Sequence, residues 1–183
     1  MIKWIFKNWH RYVLWALLSV IVWAWIFTLL FSAKAAEKVS LYAELPGING
    51  NGLAAALEED LPEGIRRIDP GSFDVGLFNE ESVLAGDLYL VPEPEVELFA
   101  SSFAPIDRSA FPSETFLEID GTAYGILASD PETGYGAASE YVVYYQNVRC
   151  YLCFNKDSIH LGTWNGSADD AAITVARQFL DLK

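Results

Sequence analysis

The feature that most limits the fold of this chain is an unbroken apolar run from Tyr12 to Phe31, YVLWALLSVIVWAWIFTLLF. It contains no charged residue, and its only weakly polar interruptions are Ser19 and Thr28. At about 1.5 Å per residue, a helix of this length spans roughly 30 Å, the thickness of the hydrocarbon core of a bilayer. A core helix of a soluble protein keeps a polar stripe, which this run lacks. The run therefore predicts a transmembrane helix, which we place at residues 12–32.

The charges on either side of the run predict its orientation. Lys3, Lys7 and Arg11 precede it without any acidic residue, whereas all 25 acidic residues and the other nine of the 12 basic residues follow it. The positive-inside rule then places residues 1–11 in the cytoplasm. We expect a single-pass protein of the cell membrane, with a short stalk at 33–38 and an extracellular C-terminal domain.

A cleaved signal peptide is the alternative interpretation of the same run. Ala33-Lys34-Ala35 fits the small-x-small pattern of a cleavage site, after which a mature chain begins at Ala36. Against cleavage, the run is about twice the usual length of the apolar region of a signal peptide, and it is rich in tryptophan. In both interpretations the remaining chain is exported.

Composition excludes some functions for the exported part. Its nine basic and 25 acidic residues give a formal net charge of −16. That charge opposes binding to nucleic acid and to anionic lipid headgroups. About 150 residues suffice for one domain with a core. We predict a single folded domain over residues 39–183.

Two cysteines, Cys150 and Cys153, have the CxxC spacing of redox and metal sites. The surrounding sequence, VRCYLCFN, is typical of a strand, in which residues i and i+3 point to opposite faces about 10 Å apart. That distance is beyond the reach of a disulfide. His160 is the only histidine of the exported part, so a zinc site lacks ligands. We expect buried thiols, with no disulfide, metal or cofactor.

Local patterns in the exported part predict an α/β domain with a mixed sheet. The predicted strands are 38–45, 65–69, 86–91, a hairpin over 116–128 with Asp120-Gly121 as its turn, and 141–154 with an irregularity at Gln146-Asn147. The predicted helices are 53–61 with Asn51 as N-cap, one that begins at Pro94, and 167–182 with Ser167 and Asp170 as a capping pair. Pro70-Gly71 is expected to form a turn, 129–139 a loop, and residues 72–86 stay ambiguous.

Four segments occur in an order that resembles the extracellular solute-binding proteins, the receptors of ABC importers. The segments are KVSLYAELPGINGNGLAAAL, GDLYLVPEPEVELFASSFAPID, IDGTAYGI and YLCFNKDSIHLG. The first resembles the first strand and helix of the family, and the second its strand, helix and hydrophobic-x-Pro-hydrophobic-Asp exit. The third resembles its hairpin with an Asp-Gly turn, and the fourth a later strand that runs into an Asn-Lys turn. The resemblance implies one lobe of a periplasmic-binding-protein fold.

The chain departs from that family in two respects. The receptors have two lobes with the ligand in the cleft between them, whereas the exported part here has room for one. The chain also carries an apolar helix where Gram-positive receptors have a lipobox cysteine. The resemblance therefore implies a membrane-anchored, non-catalytic module that serves transport or sensing and lacks the second wall of the cleft.

A topological rule selects the candidate ligand-binding residues, because open α/β sheets bind ligands at the carboxyl ends of their strands. The rule points to the ends of strands and to the loop before the first helix, whose N-terminus can hold an anion. Three aromatic residues could stack on a sugar. The candidate residues are Glu44, Asn49, Gly50, Asn51, Gly52, Tyr124, Tyr135 and Trp164, with Pro92-Glu93 at the same edge. The ordinary alternatives are a flexible turn for the loop and core or rim positions for the aromatics.

Two functions of different classes remain open. Catalysis is not expected, because Ser-His-Asp chemistry would need His160 as base and no serine has a nucleophile motif around it. The first function is a solute-binding-like module for a sugar, amino acid or peptide, working with an ABC permease or another envelope protein. The second is a structural or assembly protein of the bacterial cell envelope that acts through protein contacts. Neighbouring genes for permeases favour the first, and genes for secretion or cell-wall machinery favour the second.

Overall fold

The computed structural model describes residues 9–31, 34–74, 76 and 85–182. The chain divides into two compact units, residues 1–34 and 35–183, which we describe separately. Most of the predicted cytoplasmic segment, Ala33 of the predicted cleavage motif and most of the ambiguous stretch 72–86 lie outside the described residues.

The first unit contains one helix, α1 (Trp9–Phe31), among its described residues. It includes the whole predicted apolar run and begins three residues earlier, at Trp9. The helix is long and apolar enough to cross a membrane, and a signal sequence near the N-terminus would meet the same criteria. The sequence prediction of a helix is confirmed, and both interpretations of its role stand.

The second unit is a mixed α/β domain. Its helices are α2 (Gly50–Leu57), α3 (Glu93–Leu98) and α4 (Ala171–Asp181). Its strands are β1 (Lys38–Ala43), β2 (Gly47–Ile48), β3 (Arg67–Ser72), β4 (Leu88–Pro92), β5 (Phe116–Ile119), β6 (Thr122–Asp130), β7 (Tyr135–Gly136), β8 (Val142–Val143) and β9 (Cys150–Phe154). Short 3₁₀ turns lie at 35–37, 58–60, 100–102, 108–110 and 162–164.

Seven of the strands form one mixed sheet in the order β3-β1-β4-β9-β6-β5, with β7 paired to β6. β3, β1 and β4 are parallel, and β9 is antiparallel to both β4 and β6. It follows that β6 runs in the same direction as β4, while β5 runs against it. β2 and β8 form a separate two-stranded sheet. The prediction of an α/β domain with a mixed sheet is confirmed.

Helices cover both faces of this sheet because the strands are apolar on both sides. Leu41 of β1 lies in a large core with Leu53 of α2 and Phe179 of α4. Tyr42, the next residue of β1, packs against a smaller core on the opposite face, which contains Val96 of α3. The period of two along β1 thus assigns α2 and α4 to one face and α3 to the other.

The predicted turn at Pro70-Gly71 is wrong. Pro70 and Gly71 do not form a turn but continue β3, where they pair with Leu41 and Tyr42. Proline is tolerated there because β3 is the last strand of the sheet and one side of it needs no amide donor. The amide of Ile68 on the same strand donates to a carboxylate oxygen of Glu58 at 3.0 Å.

Two predicted helix starts are wrong. α2 begins at Gly50, and its N-cap is Asn49, whose side chain accepts from the amide of Gly52 at 3.1 Å. α4 begins at Ala171 rather than Ser167, and the hydroxyl of Ser167 accepts instead from the amide of Leu161 at 2.9 Å. In both cases the polar side chain binds a backbone amide, three residues away for Asn49 and six residues away for Ser167.

The strand predictions fare better. The hairpin is confirmed, with positive φ at Asp120 (53°) and Gly121 (79°), as a two-residue turn of this type requires. The predicted long strand 141–154 is two strands, β8 and β9, separated by residues 144–149. The predicted loop 129–139 contains the end of β6 and β7.

The prediction of buried thiols on a strand, without a disulfide between them, is confirmed. Cys150 and Cys153 lie on strand β9 as free, buried thiols. Burial raises the pKa of Cys150 to about 11, and burial likewise raises the pKa of Cys153. Both side chains are therefore protonated and unreactive at neutral pH.

Candidate functional site

The parallel strands end together at one side of the sheet, which we call the carboxyl edge. β1, β4 and β6 end there at Ala43, Pro92 and Asp130, and antiparallel β9 begins there at Cys150. Backbone hydrogen bonds continue past the strands, since the amide of Glu44 donates to the carbonyl of Leu90 at 2.9 Å. The polar residues that follow these strands are therefore brought close together.

The strand order makes this edge the expected place for a ligand. β1 lies between β3 and β4, and the chain leaves β1 through α2 on one face of the sheet. After β4 it enters α3 on the opposite face. In open α/β sheets, ligands bind outside the carboxyl ends of the strands where the connections diverge in this way. That point lies between β1 and β4, next to Glu44 and Glu93.

Acidic and aromatic side chains gather at this point. Burial raises the pKa of the Tyr145 hydroxyl, and the negative charges of nearby carboxylates, that of Glu44 first, add to the rise. Glu95 and Asp74 are the other carboxylates. One carboxylate oxygen of Glu95 is buried and accepts no hydrogen bond among the described residues. At the carboxyl edge, carboxylates therefore lie close to a half-buried phenol ring.

A group of ion pairs lies farther along the carboxyl edge. Arg149 donates to Asp130 at 3.3 Å and to Glu132 at 2.9 Å. Burial alone would raise the pKa of Asp130, but the hydrogen bonds from the Glu132 amide and from Arg149 lower it below the ordinary value. The three charges thus hold the end of β6 against the start of β9.

Two open crevices flank these ion pairs. One of about 380 Å³ begins at Glu93 and continues past Asn147 and Arg149. The other, of about 550 Å³, is lined by Asp130 and by aromatic residues that include Tyr135 and Tyr145. Both are shallow surface depressions, and Pro131 and Gln146 line both of them. Together they form a polar and aromatic groove along the carboxyl edge.

The structure distributes the predicted loop residues between two places. Glu44 lies at the carboxyl edge, as the topological rule predicts. Gly50 and Asn51 instead line a crevice of about 430 Å³ between α2 and β3, together with Arg66 and Glu58. Asn49 and Gly52 are bonded to each other at the start of α2, so the side chain of Asn49 already occupies one amide of the first turn.

The three predicted aromatic residues lie far apart in the fold. Tyr135 lines the larger crevice and is 39% exposed. Tyr124 packs against the smaller core, on the face that α3 covers. Trp164 packs on Phe154, with ring centroids 5.1 Å apart, and on Phe111 at 6.4 Å. Because β9 runs antiparallel to β4, Phe154 lies opposite the start of β4. Trp164 therefore lies at the end of the strands opposite to the carboxyl edge, where Glu44 is.

That other side, the amino edge, is where the parallel strands begin, and it carries a buried polar network. Asp87, just before β4, is 5% exposed and accepts from the amide of Ser40 at 2.8 Å and from the hydroxyl of Ser158 at 2.6 Å. Burial raises the pKa of Asp87 despite these hydrogen bonds. The hydroxyl of Ser158 also accepts from the amide of His160 at 3.1 Å. These polar groups therefore form hydrogen bonds to one another.

Serine, histidine and aspartate therefore meet at the amino edge, but not in a catalytic arrangement. The hydroxyl of Ser158 donates to Asp87, and the ring of His160 faces Asp169 at 2.7 Å rather than the serine. Ser158 and His160 are also buried. Within the part of the chain that the structure describes, no group of three or more His, Cys, Asp or Glu side chains is placed to hold a metal ion.

Sequence reasoning missed Glu95, Tyr145 and Arg149 at the carboxyl edge. Glu95 lies in the first turn of α3, where an acidic side chain interacts favourably with the helix dipole and so gives no sign of a site. Tyr145 and Arg149 fell inside one long predicted strand. The break at Gln146-Asn147 was the available signal, because a loop there returns the chain to the carboxyl edge.

Comparisons with known proteins add no assignment. No family model matches the chain, no curated protein matches its sequence, and no solved structure matches its fold. The function therefore rests on the geometry of the two edges.

Proposed function

We propose that the domain is a single-lobe, solute-binding-like module, carried on a membrane by α1 and acting in transport or sensing without catalysis. The observation that carries this proposal is the groove that begins at Glu93, beside the point where the connections of β1 and β4 diverge. Polar side chains converge there from strands that end side by side. This is the position at which open α/β sheets bind small ligands.

The chemistry of the groove supports a solute that donates hydrogen bonds. Glu93 supplies a carboxylate acceptor that lines the groove, and Tyr145 supplies an aromatic surface. The carboxylates of Glu44 and Glu95 lie close enough to act on the Tyr145 hydroxyl. Hydroxyl groups of a sugar or amino groups of an amino acid or peptide fit such acceptors. The formal net charge of −16 on the exported part disfavours anionic solutes.

Binding by the domain alone should be weak. A two-walled site removes most of the surface of a small ligand from water, and a shallow groove removes much less. Each 1.4 kcal/mol of lost contact free energy weakens binding about tenfold. We therefore expect dissociation constants of about 1 mM or weaker, and tight binding only when a second protein, such as an ABC permease, covers the carboxyl edge.

The test is titration calorimetry of the full chain in detergent micelles against sugars, amino acids and short peptides, alone and with a candidate permease. A solute that binds is then tested on Glu93→Gln and Asn147→Ala, which alter the groove, and on Thr163→Ala, an exposed control at the amino edge. We expect binding to be lost in the first two variants only. Micromolar binding by the chain without a permease would contradict the expectation that one wall of a site binds only weakly. No binding in any combination would favour the assembly function.

The orientation is tested separately. Protease added to intact cells or spheroplasts should digest the chain after Lys34 and leave a small N-terminal fragment, because the basic residues before the apolar run favour a cytoplasmic N-terminus. Protection of the whole domain would overturn the orientation. A mature chain that begins at Ala36 would replace the anchor with a cleaved signal peptide while leaving export in place.

A further inference from the structure

His160 is fully buried, and both nitrogens of its ring face oxygen atoms. Nδ1 lies 2.7 Å from Oδ1 of Asp169, and Nε2 lies 3.3 Å from the carbonyl oxygen of Ala35. An ionised carboxylate and a carbonyl accept hydrogen bonds and cannot donate them. The ring can satisfy both partners only when each nitrogen carries a proton. The geometry therefore fits an imidazolium cation.

Charged groups from several elements surround this ring. Asp169 precedes α4, Asp87 precedes β4, and Lys38 at the start of β1 lies close enough to act on Asp87. On the 35–37 turn, Glu37 forms an ion pair with Arg66 at 3.5 Å. Burial alone would lower the pKa of His160, but the hydrogen bonds to Asp169 and Ala35 and the charges of both aspartates raise it above the ordinary value.

We propose that the bond between His160 and the carbonyl of Ala35, which we call the stalk contact, is a proton-dependent switch. When His160 is charged, the stalk contact fixes the first residues of the domain to its amino edge. When His160 is neutral, these residues are released. Ala35 directly follows Lys34, the last residue of the unit that contains α1, so the switch acts where the two units are joined.

The loss of one proton breaks the stalk contact for a chemical reason. The proton leaves to solvent, and the remaining N–H stays on Nδ1, because Asp169 is the nearer and the charged acceptor. Nε2 then presents a lone pair to the lone pairs of the Ala35 carbonyl, and the two repel each other. The carbonyl of Glu37 still accepts from the amide of Arg66 at 2.7 Å, so the release ends at Ala36. The link between the units gains about two residues of free backbone, roughly 3.5 Å each.

The direction of the pH dependence follows from the raised pKa. The stalk contact is complete below the pKa of an unfolded histidine, about 6.5. It is lost as the pH rises through the pKa of His160 in the folded state. One proton is involved, so the ratio of fixed to released stalk changes by at most about tenfold per pH unit.

The experiment is hydrogen–deuterium exchange of the full chain in detergent micelles between pH 6 and 9, corrected for the intrinsic exchange rate at each pH. We expect the amide of Glu37, at the end of the 3₁₀ turn over 35–37, to lose protection as this turn opens with rising pH, by up to about tenfold per unit, while β4 stays protected. His10→Gln is the matched control, because His10 is the only other histidine of the chain. It should leave the profile unchanged, and His160→Gln should abolish its pH dependence.

A second measurement keeps the proposal testable if His160→Gln fails to fold. In the wild-type chain labelled with ¹⁵N-histidine, both ring nitrogens of His160 should be protonated at pH 6, and Nε2 should lose its proton at the pH where the stalk loosens. Asp169→Asn removes a charge that favours the imidazolium and should move both midpoints to lower pH. A ring that stays neutral, or stays charged, from pH 6 to 9 would overturn the switch. So would stalk protection that does not follow the ring.

Discussion

The two edges of the sheet differ in whether open crevices lie beside their polar side chains. At the amino edge, Asp87 is almost fully buried and accepts two hydrogen bonds, and Ser158 and His160 extend the same network. At the carboxyl edge, one oxygen of Glu95 is buried without a donor among the described residues, and Glu93 and Asn147 line an open crevice. A satisfied polar network stabilises and fixes a fold, whereas side chains that line an open crevice can contact a ligand. The difference assigns stability to the amino edge, and in our proposal it assigns binding to the carboxyl edge.

The largest expected effect concerns aromatic packing at the two edges. Trp164→Ala removes a ring that packs on Phe154 and Phe111, and should lower the free energy of unfolding by about 2–3 kcal/mol. Tyr135→Ala, in the groove of the carboxyl edge, should cost less than about 1 kcal/mol because its ring is 39% exposed. Urea denaturation of the full chain in micelles measures both. Equal losses would remove the distinction between the edges.

The next effect uses the same chemical change at both edges, carboxylate to carboxamide. Asp87→Asn turns one acceptor into an N–H₂ group that faces a donor, and should cost about 2 kcal/mol. Glu95→Gln should change stability by less than about 0.5 kcal/mol, because the buried oxygen loses no donor among the described residues. The same urea measurement applies. A cost for Glu95→Gln as large as that for Asp87→Asn would mean that the carboxyl edge is also a structural network.

A smaller effect is expected from the two thiols of β9, Cys150 at its first residue and Cys153 further along the strand. The double variant Cys150→Ser and Cys153→Ser should keep the fold and cost about 1–2 kcal/mol, since both side chains are buried and unpaired to each other. Alkylation of the native chain at pH 7 should be slow, because burial raises the pKa of Cys150 to about 11. Rapid alkylation at neutral pH, or a mass change on reduction, would contradict this.

The parts of the fold that the sequence predicted correctly depend on patterns among residues close together in the chain. The apolar run, the alternation of β1 and the Asp-Gly hairpin each lie within a few residues, and tertiary contacts agree with them. The start of α4 and the extent of β3, by contrast, depended on contacts outside these short patterns. The hydroxyl of Ser167 accepts a hydrogen bond from the amide of Leu161 and does not cap α4. Pro70 is tolerated in a strand because β3 is at the edge of the sheet.

The candidate site shows the same limit. Glu44 and Glu93 were predictable, because the topological rule needs only the ends of strands. Trp164 was assigned to the same edge, but antiparallel β9 carries its packing partner Phe154 to the amino edge. No local pattern in the sequence gives the direction of β9. The position of a side chain relative to the site therefore required the order and direction of the strands.

The most direct test of the binding proposal locates the solute on the sheet. Hydrogen–deuterium exchange of the full chain in micelles is compared with and without a saturating solute from the calorimetric screen. We predict added protection at 44–49, 93–95 and 145–149, at the carboxyl edge, and no change at 155–170, at the amino edge. Protection confined to 155–170 would contradict the account, and so would protection at neither edge by a solute that binds.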